Sequence, residues 1–166
     1  MIRALTLCPG AGKAGADCVS LDRAGRYRRR GMLETEGGET ILLDLAEATE
    51  LAHGDALVLE DGRQVRIEAA AEPLYAVTGL DARHLARLAW HIGNRHLPAA
   101  VEDERLLIER DHVVAGMVRT LGGTITEVEE PFTPEGGAYG HGRTHGHHHH
   151  YDPQADPNAH IPARHD

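Results

Sequence analysis

Thirteen histidines occur in the 166 residues, and eight of them fall in the last 26: His141, His145, His147, His148, His149, His150, His160 and His165. The segment that carries them reads GAYGHGRTHGHHHHYDPQADPNAHIPARHD. Imidazole is a ligand of intermediate softness that suits nickel, copper, zinc and iron. A flexible run of imidazoles lets several nitrogens reach one ion without a preformed site, at the cost of ordering the chain when the metal arrives. Such sites should be several per segment, modest in affinity and quick to exchange. That chemistry fits collecting and handing over an ion better than holding one for catalysis. A purification tag would read as an uninterrupted six at a terminus. Here the central run is four, with spaced histidines before it and sixteen residues after it.

Five histidines remain: His53, His84, His91, His96 and His112. His53 and His84 read as structural or solvated surface residues. His91 and His96 bracket HIGNRH, five residues apart, which is about 140° of rotation on a helix of 3.6 residues per turn. They diverge, unlike the i, i+4 histidines of a zinc-protease helix. One copy of HIGNRH should therefore not close a metal site. Two copies related by a two-fold axis would supply two His96 nitrogens with no second motif. His112, in RDHV, is a further candidate.

Nothing in the chain resembles a catalytic signature: there is no HExxH, no serine–histidine–aspartate pattern and no Walker loop. GAGKAG, at residues 10–15, lacks the spacing of a phosphate loop. Cys8 and Cys18 form neither a CxxC nor a second pair, so no disulfide framework or thiolate zinc site is expected. The formal charge of −9 argues against a nucleic-acid partner. The basic stretch RYRRR, with Arg26, Arg28, Arg29 and Arg30, reads first as the solvent face of an edge strand and second as a docking patch for an acidic partner. No leader peptide and no membrane-length apolar run are evident, which points to a reducing cytoplasm and no membrane.

These groups must be positioned by two folded regions. Residues 1–71 read as a small all-β domain, a barrel or sandwich. ALTL, CVSL, RRGML, TILLDL and ALVLEDGRQVRIEA are short apolar or alternating runs, with Asp61-Gly62 as a two-residue hairpin turn and LAEATELAHGD as a connection. Residues 72–134 change character. PLYAVTG is strand-like, and Asp81 offers a cap for ARHLARLAWHI, whose Leu85, Leu88, Ala89 and Ile92 make one apolar face. Gly93-Asn94 can end that helix in a left-handed residue. LPAAV and RLLIER are strands, Asp111 caps HVVAGMVRTLG, and TITEVEE is the last strand. The order β-α-β-β-α-β is the ferredoxin-like pattern, so the fold class is α+β. Residues 135–166 lack the apolar content to fold and are expected to be a disordered, histidine-rich tail.

HIGNRHLP, together with RDHVVAGMVRTLGGTITEVEEPFTPEGGAYGHG and the histidine-rich end, resembles the UreE family of urease accessory proteins, which carry nickel. LVLEDGRQVRIEA fits that family's first domain more loosely. The resemblance implies a peptide-binding-type β domain, residues 1–71. It also implies a ferredoxin-like metal-binding and dimerisation domain, residues 72–134. In such proteins the histidine of GNRH, here His96, binds one ion jointly with its mate across a homodimer, and tail histidines bind further ions or help cap that site. In some members His112 pairs with a histidine two positions earlier; Arg110 stands there, so that chelate is absent. The partners implied are apo-urease and a complex with a GTPase.

The function expected is therefore a cytoplasmic nickel metallochaperone, not an enzyme, with His91, His96, His112 and the tail histidines from His141 to His150 as candidate ligands. Zinc and copper also accept imidazole, and the affinity order favours copper, so Ni(II) as cargo comes from the resemblance. The rival readings are a histidine-tailed folding helper of the prolyl isomerase type and a metal store or sensor. The first wants an aromatic-lined pocket, and the chain has only Trp90, Phe132, Tyr27, Tyr75, Tyr139 and Tyr151.

Overall fold

Strand β1 (Ile2–Cys8) sits in the middle of a six-stranded sheet whose order is β2-β6-β5-β1-β4-β3. The structure, a computed structural model, describes residues 2–136. The other strands of this sheet are β2 (Cys18–Leu21), β3 (Tyr27–Glu34), β4 (Thr40–Glu50), β5 (Ala56–Leu59) and β6 (Gln64–Ala69), with a single helical turn, α1 (Arg23–Arg26), between β2 and β3. Its core is aliphatic: Ala4, Val19, Leu33, Ile41, Leu43, Leu51, Leu57 and Ile67 are all buried. In β6, Val65 and Ile67 are buried while Gln64, Arg66 and Glu68 are half-exposed, the alternation of a strand with one face inside. Glu36 N donates to Cys18 O at 2.8 Å, so the β3–β4 turn meets the start of β2 and the sheet curls nearly closed. Arg28, Arg29 and Arg30 lie on β3, an edge strand, but Arg26 ends α1 and is buried, so it is not part of the solvent face expected of RYRRR.

Three local expectations need correcting. Residues 46–50, read from the sequence as a connection, continue β4, because β4 pairs with β3 up to Tyr27 opposite Glu50. The β5–β6 turn has three residues rather than two: Leu59 N donates to Arg63 O, Gly62 takes φ +84°, and the Asp61 carboxylate accepts from Arg63 N at 3.0 Å. The left-handed position falls on Gly62, as three-residue hairpins require. The first domain is also not purely β, since Asp22 caps α1 by accepting from Gly25 N. GAGKAG has a structural account. A Cβ on Gly12 would lie 2.7 Å from Gly54 O, so glycine lets that loop pass close to its neighbour.

Beyond Ala70 the second sheet begins. Its order is β10-β7-β9-β8, from β7 (Ala71–Thr78), β8 (Ala99–Val101), β9 (Leu106–Glu109) and β10 (Thr124–Pro131), with α2 (Ala82–Gly93) and α3 (His112–Thr120) inserted as β-α-β-β-α-β. All neighbouring strands are antiparallel. One face packs Val77, Leu106 and Ile108 under Leu85, Leu88 and Ile92 of α2 and Val114 and Val118 of α3. The opposite face holds Leu74, Ala76, Ala100 and Leu107 around Phe132. No helix among the described residues is long and apolar enough to cross a membrane.

Candidate metal centre

Asp81 and Asp111 start the two helices as the sequence predicts. Asp81 accepts from His84 N at 2.7 Å, and Asp111 accepts from Val113 N and Val114 N at 2.8 and 2.9 Å. The bond from Val114 N holds the Asp111 carboxyl below its ordinary range, with help from Val113 N and the nearby Arg95 guanidinium. His84, near the start of α2, meets Leu121 just past the end of α3. The helices therefore run antiparallel, and the end of α2 lies beside the start of α3. Arg95 Nε donates to Met117 Sδ at 3.1 Å, which ties the loop after α2 to α3.

That loop presents His96. Asn94 N donates to Trp90 O, Arg95 N to Ile92 O and His96 N to Gly93 O, so the helix tightens and unwinds over three further residues. The expected left-handed residue at Gly93-Asn94 is displaced: Asn94 stays right-handed at φ −66°, and His96 takes φ +56°. It is the one non-glycine residue with positive φ among those described. For a residue with a Cβ this costs about 1–2 kcal/mol. Leu97 then packs half-buried against the core beneath the helices, while the His96 side chain stays exposed.

The structure sorts the five histidines of the folded part. The His84 ring is engaged at both nitrogens, Nδ1 accepting from Leu80 N at 3.0 Å and Nε2 lying 2.9 Å from Leu121 O. His53 Nδ1 accepts from Ala69 N at 3.2 Å. His91 is half-buried and stands edge-on to Trp90, ring centroids 4.9 Å apart at 82°. His96 and His112 are exposed, and neither ring has a hydrogen bond among the described residues. His91 likewise has no ring hydrogen bond among the described residues, and His53 Nε2 has none; His96, in the loop after α2, and His112, the first residue of α3, are the exposed pair at the junction of the two helices. No group of three or more histidine, cysteine, aspartate or glutamate side chains able to hold an ion occurs among the described residues. His141, His145, His147, His148, His149 and His150 lie outside them.

Arg110, where a His-x-His chelate would need its first histidine, is committed elsewhere. It donates to Leu74 O and Val128 O, pairs with Glu127 at 3.1 Å and lies 5.9 Å over the Tyr75 ring. Sequence reasoning overlooked two features of this end of the domain. Trp90 is 65% and Val113 54% exposed, an apolar surface flanking His96 and His112. Trp90 was detectable, since it falls outside the apolar face of Leu85, Leu88, Ala89 and Ile92. The Arg95–Met117 contact has no local signature.

Comparison with known proteins gives one family for both sheets. The profile described as "UreE urease accessory protein, C-terminal domain" matches residues 72–161, and the profile for the N-terminal domain matches residues 2–70. The chain is 57% identical over 129 residues to the urease accessory protein UreE of Ruegeria sp. (strain TM1040), covering 78% of this chain and 72% of that one. It is 49% identical over 158 residues to the protein of the same name in Chelativorans sp. (strain BNC1), covering 89% and 99%. For Ruegeria pomeroyi the identity is 57% over 133 residues, covering 80% and 87%.

Proposed function

The chain belongs to the UreE family of urease accessory proteins, and on that premise we propose that it is a nickel metallochaperone for urease maturation. In this reading Ni(II) is cargo rather than a resident cofactor. Two copies associate through the end of the second domain that carries Trp90 and Val113, and each lends His96 to one ion. His112 and the tail imidazoles, His141 to His150, load and unload further ions. The ions pass to apo-urease within a complex that includes a GTPase. His91, turned edge-on to Trp90, serves this end of the domain as packing more than as a ligand.

The observation that carries the reading is His96 itself. It is exposed, without a hydrogen bond among the described residues, and held in a costly backbone conformation by a loop tied down on both sides. Strain that persists beside an unused donor group is a mark of a functional position. Nickel titration of the full chain by calorimetry tests it. His96→Ala should abolish the tight phase, near one ion per two chains, and leave weaker binding by the tail. A tight phase that survives the substitution would refute the assignment. Both phases should weaken as pH falls below about 6, because imidazole binds metal only when neutral and free imidazole titrates near 6.5.

A further inference from the structure

The end of the second domain away from His96 also presents an apolar side chain to water. Leu80, in the turn between β7 and α2, is 86% exposed, more than any other large apolar side chain among the described residues. A single exposed leucine is ordinary, but this one is held in place. Leu80 N donates to His84 Nδ1 at 3.0 Å, and His84 Nε2 lies 2.9 Å from Leu121 O. Gly79 approaches α2 so closely that a Cβ there would lie 2.7 Å from Leu85 N. Asp81 caps the helix through His84 N. The turn is thus fixed on both sides of Leu80. An apolar side chain on a fixed backbone costs little to order when a partner covers it.

The surroundings supply charge. A depression of about 390 Å³ lies on one side of Leu80, with Asp81, Arg83, Arg87 and Leu121 among its walls. Arg83 and Arg87 stand one turn apart on α2, both exposed, and neither has an ion pair or hydrogen bond among the described residues. That is unexpected in a chain of 26 acidic and 17 basic residues. Other arginines find carboxylates: Arg63 holds Glu39 and Asp61, and Arg105 holds Glu102 and Glu130. Neither α2 nor α3 contains an acidic residue, so the helices offer Arg83 and Arg87 none. On the other side of Leu80 a depression of about 570 Å³ is rimmed by Asp103 and Glu104 of the β8–β9 turn. The sign of the charge therefore changes across the leucine.

Spacing narrows the partner. Side chains at i and i+4 of a helix stand about 6 Å apart. Alternate residues of an extended chain are about 6.7 Å apart. Two carboxylates two residues apart on an extended segment match Arg83 and Arg87.

We propose that Leu80, Arg83, Arg87 and Leu121 form a docking surface for an acidic, extended segment of another protein. One apolar side chain of that segment sits beside Leu80 and Leu121, and its carboxylates lie on the two arginines. Asp103 and Glu104 set its direction, because carboxylates laid toward them would meet like charge. The 12 residues of α2 span about 18 Å, so a segment held here leaves the His96 loop uncovered. The surface does not depend on the reading of His96 as a ligand.

Nuclear magnetic resonance titration of the isotopically labelled full chain with the peptide Ser-Leu-Ser-Glu-Ser-Glu-Ser reads place and affinity together. Amide shifts should move at Leu80, His84, Arg87 and Leu121. Arg83→Glu with Arg87→Glu should weaken binding about tenfold, and Leu80→Ser about fivefold. On the parent chain, exchanging the peptide's glutamates for glutamine or its leucine for serine should cause matching losses. The inference is overturned by shifts confined to Arg28 and Arg29 of β3, or by an affinity that none of these changes alters. Displacement by inorganic phosphate, with the peptide's leucine making no difference, would show a simple anion site and overturn it too. A change in the sedimentation of Leu80→Ser without peptide would make the face a contact between copies instead. His96→Ala should bind the peptide as the parent does, and Arg83→Glu with Arg87→Glu should keep the parent's nickel titration, so this surface and the metal reading fail separately.

Discussion

Histidine content alone does not distinguish a ligand from a structural imidazole; the partners of the ring do. His84 joins the entry to α2 to the exit of α3, and His53 closes a loop on Ala69 N. His96 does neither, and its backbone is the strained one. Backbone and side chain at this position therefore pull in opposite directions under substitution. Glycine adopts φ +56° freely, whereas alanine keeps the Cβ that makes it costly. His96→Gly should be more stable than His96→Ala by about 1 kcal/mol, a difference readable in denaturant melts. Both should lack the tight nickel phase. Equal stabilities would show that the loop relaxes on substitution and that no strain is held there. The sequence showed that His96 stands apart from His91, because helical rotation follows from spacing. It did not show the left-handed backbone, because that depends on how Asn94, Arg95 and His96 exhaust the last carbonyls of α2.

Elements were legible where a local rule decides them. Asp81 and Asp111 cap the helices expected of them, and the β-α-β-β-α-β order follows from alternating apolar periods. β4 continues past Leu45 although Ala46, Glu47 and Ala48 carry no strand pattern, because pairing with β3 extends it. A barrel was one of the two forms expected for the first sheet, but the contacts that curl it have no local signature: beside the Glu36 N–Cys18 O bond, one side chain links turns distant in sequence. Asp17 accepts from Gly37 N and Cys18 N, both at 2.9 Å. A hydrogen bond from the Thr35 hydroxyl, then those two N–H groups, hold its carboxyl below the usual range. A depressed folded-state pKa means stability that is present above the unfolded value of about 3.9 and lost as pH falls through the folded value. Asp17→Asn should lower the thermal midpoint at pH 7 and flatten its decline between about pH 5 and pH 2. A parallel decline in parent and variant would show that other carboxylates govern acid loss.

At the scale of the whole molecule, the prediction turns on the end of the second domain that carries His96 and His112. Among the described residues no three donor side chains come together, and the exposed imidazoles His96 and His112 stand beside exposed Trp90 and Val113. Exposed apolar side chains beside two exposed imidazoles suit a surface that the proposed second copy would cover. In the proposed dimer a two-fold axis would double each imidazole and bury each tryptophan against its mate's surface. The two consequences must then fail together. Trp90→Asp puts a charge where the apolar contact forms, on a side chain that α2 does not use in its core. Sedimentation equilibrium should show a dimer for the parent chain and a monomer for the variant, and calorimetry of the same sample should show the tight nickel phase gone. The weaker phase should persist, since the tail imidazoles need no partner chain. A variant that becomes monomeric yet keeps its tight ion would place the site within one chain. One that stays dimeric and loses nothing would move the interface away from this end of the domain.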